Sequence, residues 1–289
     1  MHLKRKLETG EFAVLAEMEP PKGVDISPMV SGAARVKHKV DAFIVPEMSN
    51  AVMRMSALGG AMALQNNGMN TVMEVCCRDR NRLALQADLL AAYASGVANV
   101  MAVKGQDPGF GDHHQAKTVY DIDLHGLLKA IEVLQSGRDM AGIELSGKPS
   151  FLVGSVVNAG LEGHELEKEM AEVNQLIEAG VRFLVTSPVF ELSAIEPFLK
   201  TAAKMNVTII PTVLLLKSVG MARYIQRNMK HIQLPDSLIH RLQKSPDKPG
   251  ECTKIAGEMV LKIKKEGFGG VNISPMGWEN KLSDVLEGM

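Results

Sequence analysis

Three cysteines, one tryptophan and 4% aromatic residues are all that a chain of 289 residues carries of these types. Cys76, Cys77 and Cys252 are too few for a disulfide framework. Cys76 and Cys77 are adjacent, so on a strand they point to opposite faces and cannot share a metal. No CxxC or HExxH spacing occurs, and the pair His113-His114, with no carboxylate pair beside it, reads as loop surface rather than a metal site. A charge excess is also missing. The 32 basic and 33 acidic side chains leave a net charge of -1, which excludes nucleic acid as the main partner. The one dense basic run, Lys262-Ile263-Lys264-Lys265, lies in an amphipathic pattern and reads as a solvated helix face. No apolar run approaches the ~20 residues of a membrane helix, and the basic start Met1-His2-Leu3-Lys4-Arg5-Lys6 is not followed by a signal-peptide core. The expected location is the cytoplasm, without membrane insertion.

What is present is aliphatic. Hydrophobic residues make up 46% of the chain and 18 residues are Met, enough for a large core in which Met fills irregular gaps. Short β-branched runs recur, each followed by a segment of helical periodicity. Eight strands are predicted: Phe12–Glu17, Ala42–Pro46, Thr71–Cys76, Asn99–Val103, Ser150–Val156, Phe183–Thr186, Val207–Pro211 and Gly270–Ser274. Helices are predicted over Asn81–Ser95, Leu124–Leu134, Glu165–Ala179, Leu192–Met205 and Lys217–Asn228. Ser245 to Gly250 reads as a loop between two late helices. Strands apolar on both faces and alternating with helices imply a covered parallel sheet. Eight such units in this length predict an α/β fold, a (β/α)8 TIM barrel, as one domain over residues 1–289. Its chemistry is then expected at the C-terminal ends of the strands.

Those strand ends hold the candidate residues. The first ends Glu17-Met18-Glu19-Pro20-Pro21, with two carboxylates expected on one face. Glu17, walled by prolines and apolar groups, suits a general acid with a raised pKa; the alternative is an ordinary strand-end charge paired with Arg or Lys. The third ends Arg78-Asp79-Arg80-Asn81-Arg82. Its three cations suit a pyrophosphate or ribose, whereas Asp79 or Asn81 also suits a helix cap with solvated arginines. After the fourth strand, Lys104-Gly105-Gln106-Asp107-Pro108-Gly109 permits close backbone approach to a flat ligand, although such loops are also common turns. Asp123 is a natural N-cap.

Taken in order, Cys77-Arg78-Asp79-Arg80-Asn81, Gly105-Gln106-Asp107-Pro108, Val119-Tyr120-Asp121-Ile122-Asp123 and Thr186-Ser187-Pro188-Val189-Phe190 resemble the methylenetetrahydrofolate reductases. The likeness is greatest to the reductase domains fused to bacterial homocysteine methyltransferases. It runs from Glu17 to the last strand. The resemblance implies a (β/α)8 barrel with FAD at the strand ends, passing a hydride from a nicotinamide through flavin to 5,10-methylenetetrahydrofolate. Glu17 then matches the glutamate that assists protonation and ring opening of the folate. Lys104, Gly105 and Gln106 match the segment along the flavin, and Tyr120 and Asp121 the pair at the adenosine and pyrophosphate. Glu169 matches an acidic residue near the FAD ribose, and Asn50 a polar residue beside the cofactor. Gln106, Thr186 and Ser187 fall at the substrate.

The chain departs from the family pattern where the substrate and donor bind. Gln106 stands where the family has Asp, Ser187 where it has Gln, Val219 where some members have an aromatic residue, and Ala159 within an Asn-Pro-Gly run. These changes point to a reductase whose reductant is NADH or, more in keeping with the changes, a partner electron-donor protein. Two other readings are a non-redox C1 methyltransferase that binds methyltetrahydrofolate and a flavin- or folate-binding subunit of a larger complex. A reduced folate is the expected substrate, and a homo-oligomer is compatible with the sequence.

Overall fold

In the computed structural model, which describes residues 2–288, eight parallel strands close into a barrel in sequence order. The strands are β1 Ala13–Glu17, β2 Ala42–Val45, β3 Thr71–Cys76, β4 Asn99–Val103, β5 Leu152–Val157, β6 Phe183–Pro188, β7 Thr208–Leu214 and β8 Gly270–Ser274. Pairing of β1 with β8, through Ala13 to Gly270 and Ala16 to Ile273, completes the ring. The (β/α)8 expectation holds.

Helix α1 His2–Thr9 precedes the first strand, and the other helices cover the outside. In the first half they are α2 Ser27–Val36, α3 Ala57–Asn66, α4 Arg82–Ala94, α5 Leu124–Ser136 and α6 Gly163–Glu178. The second half carries α7 Glu196–Ala202, α8 Val219–Asn228, α9 Asp236–Lys244, α10 Lys248–Lys265 and α11 Leu282–Leu286. The start signals follow from side-chain chemistry. Asn81 accepts the Leu83 and Ala84 N–H groups at the head of α4, and Asp123 accepts from Gly126 at the head of α5. The segment predicted as one helix over 192–205 is instead a 3₁₀ turn followed by α7. Pro197, which has no N–H to give, sits in the first turn of α7, where none is required. The segment from Lys217 begins as a helix only at Val219, where the Ser218 hydroxyl accepts the Met221 N–H.

Two cores result from strand alternation. Cys77, Met73 and Val75 belong to the layer between sheet and helices, whereas Cys76 and Val72 belong to the barrel interior. The adjacent cysteines therefore do face opposite ways. Leu3 of α1 is buried among the interior residues Ala13, Leu15 and Ala42, so this helix plugs the N-terminal end of the barrel. The interior becomes polar toward the other end, where Thr212, Asn272 and Ser274 are buried.

One irregularity shapes the mouth. β6 and β7 run on past their predicted ends, and their register shifts between Val185 and Pro188. Pro211 of β7 lacks the N–H that the ladder would use there. An extra residue on β6 absorbs the break, and the Thr186 hydroxyl accepts the Thr212 N–H at 3.1 Å.

The barrel is filled by unequal partners. Phe183 is fully buried, and its ring occupies the space in front of Gly154, where a Cβ would run into it. Gly154→Ala is expected to lower stability by about 1–3 kcal/mol, read as a lower urea midpoint with unchanged slope. Phe183→Leu in the same chain should restore part of the loss.

Candidate active site

The C-terminal end of the barrel opens into a cavity of about 540 Å³, lined mainly by apolar side chains including Met101, Met221, Met229 and Met276. Its polar groups come from successive strand ends. Glu17, the last residue of β1, sits on the floor. Its Oε1 accepts from Asn272 Nδ2 at 3.0 Å and its Oε2 accepts from the Ser274 hydroxyl. No cation forms an ion pair with it among the described residues. Burial raises the Glu17 pKa above the ordinary range, the two hydrogen bonds oppose that rise, and the charges of Glu19 and Glu279 add to it. Glu19 was expected on the same face. Because β1 ends at Glu17, Glu19 instead turns to Arg54 at 2.8 Å and is not part of the cavity wall.

Two further carboxyl groups in the wall escaped the sequence reading. Glu47, just past β2, is buried and accepts from Arg80 Nη1 at 3.0 Å and from the Ala57 N–H at 2.6 Å. Ala57 is the first residue of α3, so the carboxylate also meets the positive end of that helix. Glu74 projects from β3 into the cavity and accepts the Glu47 N–H at 2.9 Å. Burial, then the charges of Glu17 and Glu47, push its pKa up to about 8 against the lowering effect of that N–H. The available signal was a lone Glu inside the apolar run Thr71-Val72-Met73-Glu74-Val75-Cys76. Tyr224 of α8, at the rim, was also missed.

The strand-four loop contributes Lys104, Gly105 and Gln106 to the cavity wall, to which Asn50 also belongs. Its support differs from the expectation. Gly105 is left-handed, φ +84°, and a Cβ there would strike Cys76 Sγ, so the glycine permits close approach to the protein itself rather than to a ligand. Fully buried Arg78 forms two bonds to Asp79, at 2.7 and 2.6 Å, and donates Nη1 to the Gln106 carbonyl at 2.9 Å. Arg80 is held by Glu47 and Asp88, and Arg82 by Asp121. The three arginines, considered for a pyrophosphate or as solvated charges, are thus each engaged by a carboxylate.

Tyr120 and Asp121 stand outside the cavity wall. Tyr120 is part-exposed with a left-handed backbone, φ 37°, and Asp121 accepts the Arg82 N–H at 2.9 Å and Arg82 Nε at 2.8 Å, tying the long β4–α5 loop to α4. Glu169 on α6 accepts the Asn158 N–H at 2.8 Å and lines a second cleft of about 670 Å³ with Lys168, Lys230 and His231. Lys104 lines both clefts. Burial lowers the His231 pKa, and nearby Glu169 opposes this. At β6, Thr186 lines the main cavity but Ser187 does not; the bulge leaves the Thr186 hydroxyl bonded to the Ser187 carbonyl and the Thr212 N–H. Among the described residues, no His, Cys, Asp and Glu grouping suits a metal ion, and no helix is long and apolar enough to cross a membrane.

Comparison with known proteins agrees with this architecture. The family model for methylenetetrahydrofolate reductase matches residues 2–288. Methylenetetrahydrofolate reductase 2 of Schizosaccharomyces pombe is 22% identical over 281 residues, 90% of this chain and 42% of that protein. The chain therefore spans less than half the length of that relative. Among solved structures, a Clostridium thermocellum protein that binds two copies of 5-methyl-5,6,7,8-tetrahydrofolic acid superposes with a TM-score of 0.64 at 15% identity, over 98% of this chain and 97% of that one. An oxaloacetate acetylhydrolase gives 0.57 at 10% identity, over 99% and 84%. At these identities the structures attest the fold.

Of the three carboxyl groups in the wall, only Glu47 is held by an arginine, Arg80 at 3.0 Å. Arg80→Leu is expected to destabilise the protein by about 3–5 kcal/mol, because it leaves the Glu47 carboxylate buried without its cation. Chemical denaturation of the variant and of Arg80→Leu/Glu47→Gln checks this, the double variant recovering most of the loss.

Proposed function

The chain belongs to the methylenetetrahydrofolate reductase family, and on that premise we propose that it reduces 5,10-methylenetetrahydrofolate to 5-methyltetrahydrofolate at the C-terminal mouth of the barrel, with FAD as hydride carrier. The observation that carries this reading is Glu17: a carboxyl group with a raised pKa and, among the described residues, no cationic partner, on the floor of a mainly apolar cavity. A cavity of about 540 Å³ falls within the roughly 300–1,000 Å³ typical of small-ligand sites.

The residues present fit the cofactor. The Met-rich wall offers an apolar surface for a flat ring system, and Lys104 joins it to the second cleft. There Lys168 and Lys230 suit a diphosphate and Glu169 suits ribose hydroxyls. Bound reduced FAD supplies the hydride. The work of the chain is to move one proton. The substrate carries a methylene carbon bridging two nitrogens. Protonation of one nitrogen by the Glu17 O–H breaks its bond to that carbon and leaves an iminium, which the hydride converts to the methyl group. Glu17 is left as a carboxylate, stabilised by the Asn272 N–H and the Ser274 O–H. The apolar wall limits water access to the iminium. The changes at Gln106, Ser187 and Val219 support a partner protein, rather than free NADH, as the source of electrons.

Two observations favour a second reading, a barrel that binds methyltetrahydrofolate without redox chemistry. Arg78, Arg80 and Arg82 are all spent on carboxylates, and a structural neighbour binds 5-methyltetrahydrofolic acid. A visible spectrum after incubation with FAD separates the two. Flavin bands that bleach anaerobically on addition of 5-methyltetrahydrofolate support the reductase; a colourless protein that binds the folate supports the alternative. Glu17→Gln is expected to slow the bleaching about 10²–10⁴-fold while leaving the flavin bands in place. In the direction of folate reduction the acid form is needed, so the wild-type rate should fall on the alkaline side of the raised Glu17 pKa.

A further inference from the structure

Glu74 has no part in the proton transfer described above, yet it faces the same cavity. Its Oε2 accepts the Glu47 N–H at 2.9 Å; its other oxygen makes no hydrogen bond among the described residues. The charged and titratable groups around it come from every neighbouring element. Glu17 faces it from β1, Glu47 from the β2–α3 loop, Lys104 from the end of β4, and Cys76 follows two residues along its own strand. None of them neutralises it. Arg80 is committed to Glu47 and Asp88, at 3.0 and 2.9 Å, and the largely exposed Lys104 side chain leans toward Glu172 at 3.7 Å. A carboxyl group enclosed in this way, beside two others and without a cation, keeps its proton at neutral pH. Because the N–H of Glu47 occupies one oxygen, the proton belongs on the other. That O–H faces the cavity, so a ligand that displaces water there leaves a bond unmade unless it supplies an acceptor, and a ligand with an acceptor at that place is selected for that reason.

We propose that Glu74 is a specificity-determining residue: its neutral carboxyl group donates a hydrogen bond to an acceptor atom, a carbonyl oxygen or ring nitrogen, on the edge of a fused heterocycle bound in the mouth. The assignment rests on the reading of this mouth as a reduced-folate site. It gives the two carboxylic acids different tasks, Glu17 releasing its proton during turnover and Glu74 keeping its own. Glu74→Gln preserves this arrangement without titration, since the amide oxygen accepts the Glu47 N–H and the amide nitrogen still donates into the cavity.

The test is calorimetric titration of the full chain with 5-methyltetrahydrofolate, anaerobically, at pH 7 and pH 9. With one proton required and a pKa of about 8, the wild-type affinity should fall about tenfold between the two. Glu74→Gln should bind at pH 7 about as tightly as wild type and lose none of that affinity at pH 9. Glu74→Leu should bind at least about tenfold more weakly at pH 7, with circular dichroism confirming that it is folded. If it is not folded, the comparison of wild type with Glu74→Gln decides alone. A tenfold loss that persists in Glu74→Gln would place the titration on another group, such as Glu17, and overturn the assignment. Wild-type affinity in folded Glu74→Leu at pH 7 would also overturn it. A wild-type chain with no affinity for the folate at either pH would instead remove the folate reading itself, and the role of Glu74 with it.

Discussion

One part-buried arginine for three inward carboxyl groups is the constraint on which this barrel mouth depends. Closing eight parallel strands brings the ends of β1, β2 and β3 around one small space, and each contributes a glutamate to its wall. Of the three, only Glu47 meets Arg80, which it shares with Asp88, and the start of α3. Glu17 and Glu74 are left with neutral hydrogen-bond donors, and burial without a counter-ion favours the protonated form. The raised pKa values of Glu17 and Glu74 are therefore a consequence of how charge is distributed across neighbouring strands. Moving the same arginine toward Glu74 would change which carboxyl group holds a proton.

The loops around that space are held by contacts that have no direct part in chemistry. Arg78 ties the end of β3 to Asp79 and to the carbonyl of Gln106, which fixes the strand-four loop from behind. Arg82 and Asp121 anchor the long excursion between β4 and α5. The bulge at Pro188 and Pro211 directs Thr186 inward while its hydroxyl is consumed by backbone partners. Rigid walls of this kind keep the cavity open and its polar groups oriented, at the expense of arginines that would otherwise be free to meet a phosphate.

The strands were legible because a buried parallel sheet leaves continuous apolar runs; five of them, at Ala42, Thr71, Asn99, Phe183 and Gly270, begin at the residue predicted. The strand ends at Pro188 and Leu214 were not legible, since proline ordinarily argues against continuing a strand and the compensating bulge depends on partners far away in sequence. Glu17 could be found because it terminates a strand beside two prolines. Glu74 could not, because a single charge within an apolar run carries no indication of whether it points to the helices or to the interior. The pairing of Arg80 with Glu47 joins residues 33 positions apart, and no local pattern encodes it. The bond of Asp121 to Arg82 was equally hidden, since it joins residues 39 positions apart.

These placements sharpen where recognition of a bound ring is possible. Ser187 is turned away from the cavity and Thr186 has little hydrogen-bonding capacity left, so β6 contributes shape more than polarity. On that side the wall continues with Val185, Pro188, Leu214 and Met221, all apolar. The opposite side, from β1 to β4, carries Glu17, Glu74 and Gln106. A flat heterocycle in such a cleft gains most by setting a face against the methionines and its polar edge toward the carboxyl groups, since the reverse would bury O–H and N–H groups against hydrocarbon. Ser187 is short and turned away, so no long polar side chain enters from β6. The charged groups of the wall, Glu17, Glu47, Glu74 and Lys104, all lie at the ends of β1 to β4.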